Sequence, residues 1–90
     1  MNNDTTITNM KEPLTKRTLA ELNRQYEHCM EQIEDLVLEL EVEEDPELQL
    51  DMQLSIELEE LEMQILEKKI RAVQDKLAEY DLRARAEELA

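Results

Sequence analysis

The stretch LELEVEEDPELQLDMQLSIEL, running from Leu38 to Leu58, admits two readings and decides the fold. Its apolar residues fall at every second position, Leu38, Leu40 and Val42 before Asp45-Pro46 and Leu48, Leu50, Met52, Leu54, Ile56 and Leu58 after it. A period of two belongs to a strand with one buried face. Folding about Asp45 would pair Val42 with Leu48, Leu40 with Leu50 and Leu38 with Met52, all on one side. Three features oppose the strands. The residues are mostly helix-forming Leu, Glu, Gln and Met, no Gly serves the turn, and Glu39 would face Asp51 as a like-charge pair. The sequence is therefore read as helical here, with the alternative of helix, β-hairpin (about 37–58), helix. As a helix, 48–58 is apolar nearly all round, which requires more than one packing neighbour. Two overlapping stripes, Leu54, Leu58, Leu61, Ile65 and Met63, Leu66, Ile70, carry the same implication.

Working outward, both flanks show heptad patterning. Upstream, Leu19, Leu22, Tyr26, Cys29, Ile33, Leu36 and Leu40 are spaced alternately by three and four residues, as are Leu66, Ile70, Val73, Leu77, Tyr80 and Ala84 downstream. Thr18-Leu19-Ala20-Glu21 has the form of a capping box, and Pro13 interrupts any helix that would start earlier. Residues 1–14 are thus expected to be a flexible arm, 15–44 helix 1, and 45–90 helix 2, with Asp45 as cap, Pro46 in the first turn and Glu47 facing the positive end of the helix dipole. The expected fold is all-α, a long antiparallel helical hairpin (a coiled coil) forming a single domain over 15–90. Helix 2 would then overhang helix 1 by some four turns with its seam intact, which calls for a second protomer and a homodimeric bundle. The expected oligomer seam is Leu19, Leu22, Tyr26, Cys29, Ile33, Leu36, Leu66, Ile70, Val73, Leu77 and Tyr80.

Ninety residues can bury only a thin core alone, which also favours association. The 24 acids and 10 bases give a net charge of −14, and that excess is confined. Residues 1–30 are neutral, 31–67 hold fifteen acids and no Lys or Arg, and 68–90 sum to +1. Along a helix this is about one negative charge per 3.7 Å, close to the phosphate spacing along one DNA strand. The expected partner surface comprises Glu39, Glu41, Glu43, Glu44, Asp45, Glu47, Asp51, Glu57, Glu59 and Glu60. Its expected partner is a basic protein surface. Direct nucleic-acid binding is disfavoured by repulsion, and anionic membranes select basic rather than acidic faces.

Catalytic and cofactor chemistry finds no purchase. Gly is absent, which excludes phosphate loops and nucleophile elbows. His28 and Cys29 are adjacent and so point about 100° apart on a helix, with no second His or Cys to complete a metal site. Cys29 reads as a small apolar seam residue and His28 as a solvated flank. A lone cysteine, no secretory leader and no long apolar run give the expectation of a cytoplasmic protein without cofactors. Two functions fit: a non-enzymatic protein-binding module (adaptor, assembly factor or small regulatory subunit) working through its seams and acidic surface, or a phage-type acidic DNA mimic that blocks the nucleic-acid channel of a restriction or immunity enzyme.

Overall fold

The computed structural model describes residues 3–89, and the side chains of 11–89. Two helices, α1 (Asn3–Val42) and α2 (Pro46–Leu89), lie antiparallel as an extended hairpin of 67 × 21 × 14 Å. No strand occurs among the described residues, so the β-hairpin alternative is overturned. The alternation over 38–58 resolves into two interleaved helical stripes. Leu40, Met52 and Ile56 turn toward the other helix, while Leu38, Val42, Leu48, Leu50, Leu54 and Leu58 turn to solvent.

The seam is a continuous heptad series on both arms. From α1 it takes Thr15, Leu19, Leu22, Tyr26, Cys29, Ile33, Leu36, Leu40 and, beyond the helix end, Glu43. From α2 it takes Gln49, Met52, Ile56, Glu59, Met63, Leu66, Ile70, Val73, Leu77 and Tyr80. Cys29, Leu66 and Tyr80 are the buried hydrophobic residues, and Leu66 alone among the described residues is fully enclosed. The Tyr26 hydroxyl donates to Glu67 Oε1 at 2.9 Å and fixes the register across the seam.

The connection is three residues, Glu43–Asp45. Asp45 caps α2 as expected: its Oδ1 accepts the Glu47 amide at 3.0 Å and its carbonyl accepts the Gln49 amide at 2.9 Å. Glu43 Oε1 accepts the Asp45 amide at 3.1 Å, and Gln49 Nε2 donates to the Glu43 carbonyl at 2.6 Å, tying the end of α1 to the first turn of α2. No described residue has positive φ, which is why the turn closes without glycine.

The start of α1 differs from expectation. The expected arm over 1–14 is helical from Asn3 onward, with Pro13 inside the helix. Thr18 does not cap: its Oγ1 donates to the Leu14 carbonyl at 3.0 Å, and Thr15 Oγ1 to the Lys11 carbonyl at 2.7 Å. Both hydroxyls bond back one turn within a continuing helix, an arrangement Thr tolerates. Pro13 removes one backbone bond and crowds the carbonyl one turn earlier, and α1 nevertheless continues through it. With α1 at 40 residues and α2 at 44, the mismatch is about 6 Å, one turn. The long overhang that motivated a second protomer is absent.

Candidate functional site: the acidic, leucine-bearing half of the hairpin

Every residue of the expected oligomer seam, Leu19 through Leu36 on α1 and Leu66 through Tyr80 on α2, sits partly or fully buried on the seam face of its helix. These side chains are engaged within one chain. The expected acidic surface lies elsewhere, on the half of the rod that contains the turn.

All fifteen acids of 31–67 gather in that half, because the turn folds the block back on itself. Glu39, Glu41, Glu44, Asp45, Glu47, Asp51, Glu57 and Glu60 are exposed, as expected. The three ion pairs among the described residues, Lys16–Glu12, Arg24–Glu21 and Arg85–Asp81, are local pairs outside the block. None neutralises it. Glu39 and Glu41 also lie in the last turns of α1, at the negative end of its dipole, with no basic residue there. Acids at a helix C-terminus are unfavourable by a few tenths to about 1 kcal/mol each. Glu44 and Asp45 offset part of this by standing before the positive end of α2.

Two expected surface acids have other places. Glu43 is half-buried in the turn, where its carboxylate and carbonyl both accept hydrogen bonds. Glu59 is a seam residue, half-buried between Ile56 and Met63 and facing Cys29. Extending the heptad backward from Leu66 through Met63 reaches Glu59, Ile56, Met52 and Gln49, a row that competes in the sequence with Leu54, Leu58, Leu61 and Ile65. The row was obscured because two of its positions are polar.

The Cys29 thiol is pushed above its ordinary value of 9.0, first by burial and then by the Glu59 carboxylate beside it and the more distant Glu62. A raised thiol pKa favours the protonated form in the fold. That contribution to stability is fully present below the unfolded pKa and is lost as pH rises through the folded one. At about pH 9, where the ordinary thiol is half ionised, alkylation of Cys29 by iodoacetamide is expected to be slower in the native chain than in urea by roughly tenfold or more. Equal rates would place the thiol outside the seam. Across the same seam, the hydrogen bond to Glu67 raises the Tyr26 phenol pKa, with burial and the charge of Glu67 adding to it.

His28 is exposed, its Nε2 3.5 Å from Gln32 Nε2, and no group of three His, Cys, Asp or Glu among the described residues is placed to hold a metal ion. A groove of about 510 Å³ beside Cys29 and Leu66 is open to solvent and edged by Arg24, His28, Glu31 and Glu62. Arg24 is already engaged by both oxygens of Glu21 at 2.6 and 2.7 Å.

The acidic half also bears exposed hydrophobic side chains. Leu54, Leu58, Leu61 and Ile65 keep between 48 and 67% of their surface, and Leu38, Leu48, Leu50 and Val42 are exposed as well. Leu54 lies two residues from both Met52 and Ile56, and Leu61 two from both Glu59 and Met63. At about 100° per residue, a position two away from the seam on either side is on the opposite face. The stripe 54, 58, 61, 65 is therefore a second heptad row, directed away from α1. This is the additional neighbour-seeking face that an all-round apolar helix implies.

No helix among the described residues is long and apolar enough to cross a membrane. Comparison with protein-family models, with curated proteins and with solved structures finds no match to this chain.

Proposed function

We propose that this chain is a non-enzymatic protein-binding module, a coiled-coil hairpin that self-associates and presents a carboxylate-covered half to a basic partner. The observation that supports it most is the segregation of charge: fifteen acids over 31–67, no base among them, and no ion pair within the block among the described residues. Concentrating repulsion there, including acids at the wrong end of the α1 dipole, works against folding. A surface kept at the expense of stability is what a binding role requires. The role is that of an adaptor, assembly factor or small regulatory subunit.

A second reading, the DNA mimic, draws on the same half of the rod, since both antiparallel arms are acidic and run side by side like paired strands.

Salt and substitution test the acidic surface together. Glu39, Glu41 and Glu44 are exposed, and replacing all three with Gln leaves the turn bonds of Glu43 and Asp45 intact. Binding of a lysine-rich helical peptide, followed by calorimetry at low salt, is expected to weaken about tenfold or more in the triple variant and to fall steeply toward moderate salt. Undiminished binding by the triple variant would remove the acidic surface from the function. Displacement of duplex DNA from a basic DNA-binding protein, rather than peptide binding, would favour the mimic.

A further inference from the structure

We infer that a second copy of this chain covers the outer face of α2, in an antiparallel register that sets Leu58 of one copy against Leu61 of the other. This specifies the self-association in the proposed function and is independent of the acidic surface at Glu39, Glu41 and Glu44.

The argument starts from spacing. Leu54, Leu58, Leu61 and Ile65 are separated by four, three and four residues, a series that reads the same in both directions. An antiparallel pairing about its midpoint places Leu58 on Leu61 of the second copy and Leu54 on Ile65, so each exposed apolar side chain meets another. Continuing the heptad outward reaches Asp51 at one end and Lys68 at the other, both exposed. The same pairing sets Asp51 of each copy against Lys68 of its mate, an opposite-charge pair closing each end of the apolar row.

The flanking positions agree. In an antiparallel pair, the residues bordering the seam on one side face those bordering it on the same side of the partner. Glu57 then faces Gln64, Glu62 faces Ser55, Leu50 faces Arg71 and Leu48 faces Lys69. No acid meets an acid. On a larger scale, the acidic segment 46–59 of each copy runs along 60–73 of the other, where Lys68, Lys69 and Arg71 lie. A parallel pairing would set Asp51 on Asp51 and Lys68 on Lys68, and the charge pattern excludes it as the favoured form.

Sedimentation equilibrium of the full chain tests the interface. The wild type is expected at twice its 10.7 kDa chain mass. Leu58→Asp is expected to weaken the dimer at least tenfold while leaving the helical circular dichroism in place, because residue 58 is outside the hairpin seam. Asp51→Lys alone and Lys68→Asp alone are each expected to weaken it by roughly tenfold at low salt. The double variant, and an equimolar mixture of the two single variants, are expected to recover wild-type mass, since each restores both antiparallel pairs. A wild type at single-chain mass or above the dimer, or a failure of the double variant to recover, would overturn the interface. The charge-swap series decides the matter even if Leu58→Asp loses helicity. Loss of this interface with peptide binding retained would leave the acidic surface standing, and the converse result would remove only that surface.

Discussion

Leu66→Ala is expected to lower the midpoint of thermal unfolding by roughly 10–20 °C, followed by the helical circular dichroism signal. Leu66 is 1% exposed, and only Cys29 and Tyr80 join it as buried hydrophobic residues among those described. Leu→Ala at a packed site costs about 2–5 kcal/mol through lost transfer energy and the cavity left behind. Small domains lose about 4–8 °C per kcal/mol. With so thin a core, little remains to resist the loss. Leu82→Ala is the control, since Leu82 keeps 64% of its surface and its truncation should stay within about 0.5 kcal/mol. Equal effects at the two positions would mean that the seam does not hold the arms together.

Glu59→Leu is expected to work in the opposite direction, raising stability by about 1–2 kcal/mol and the melting midpoint by roughly 5–10 °C. Glu59 occupies a seam position whose neighbours one heptad step away are Ile56 and Met63, and it faces Cys29 with no base in the surrounding sequence. A carboxylate half-removed from water there gains no ion pair, whereas leucine would complete the row. The same change should bring the Cys29 thiol only part of the way back toward its ordinary value, because burial, the larger cause, remains. Glu60→Leu, one residue along and exposed, should give no comparable gain. If the two substitutions behave alike, Glu59 is a surface acid after all.

These two residues show how much of the molecule was legible beforehand. Leu66 belonged to a heptad row that stood out, because each of its members from Leu66 to Tyr80 is apolar. Glu59 and Gln49 continue the same row but are polar, so a reading by hydrophobicity ends at Met63 and assigns Glu59 to the surface. The turn was read correctly from Asp45-Pro46-Glu47, whose chemistry is local: a cap, a fixed φ and a charge at a dipole end. The start of α1 was misread for the converse reason. Pro13 and Thr18 are local stop and start signals, yet a helix long enough to match α2 overrides them.

The candidate surface divides along the same line. Confinement of the acids to 31–67 is a fact of the sequence, and a single turn near its middle suffices to gather them in one half of the rod. Which leucines remain for a partner was not readable, since Met52 and Leu54, or Ile56 and Leu58, differ only in direction.

The sequence by itself determined the helices over most of their length, the place and chemistry of the turn, and the concentration of negative charge, because each follows from residues close together in the chain. Only the tertiary structure decided that the two heptad rows are spent on each other, that α1 reaches back to Asn3, and that Leu54, Leu58, Leu61 and Ile65 face outward. The physical reason is that an all-round apolar helix has no preferred inner side until a second helix, in a definite register, covers one of its faces.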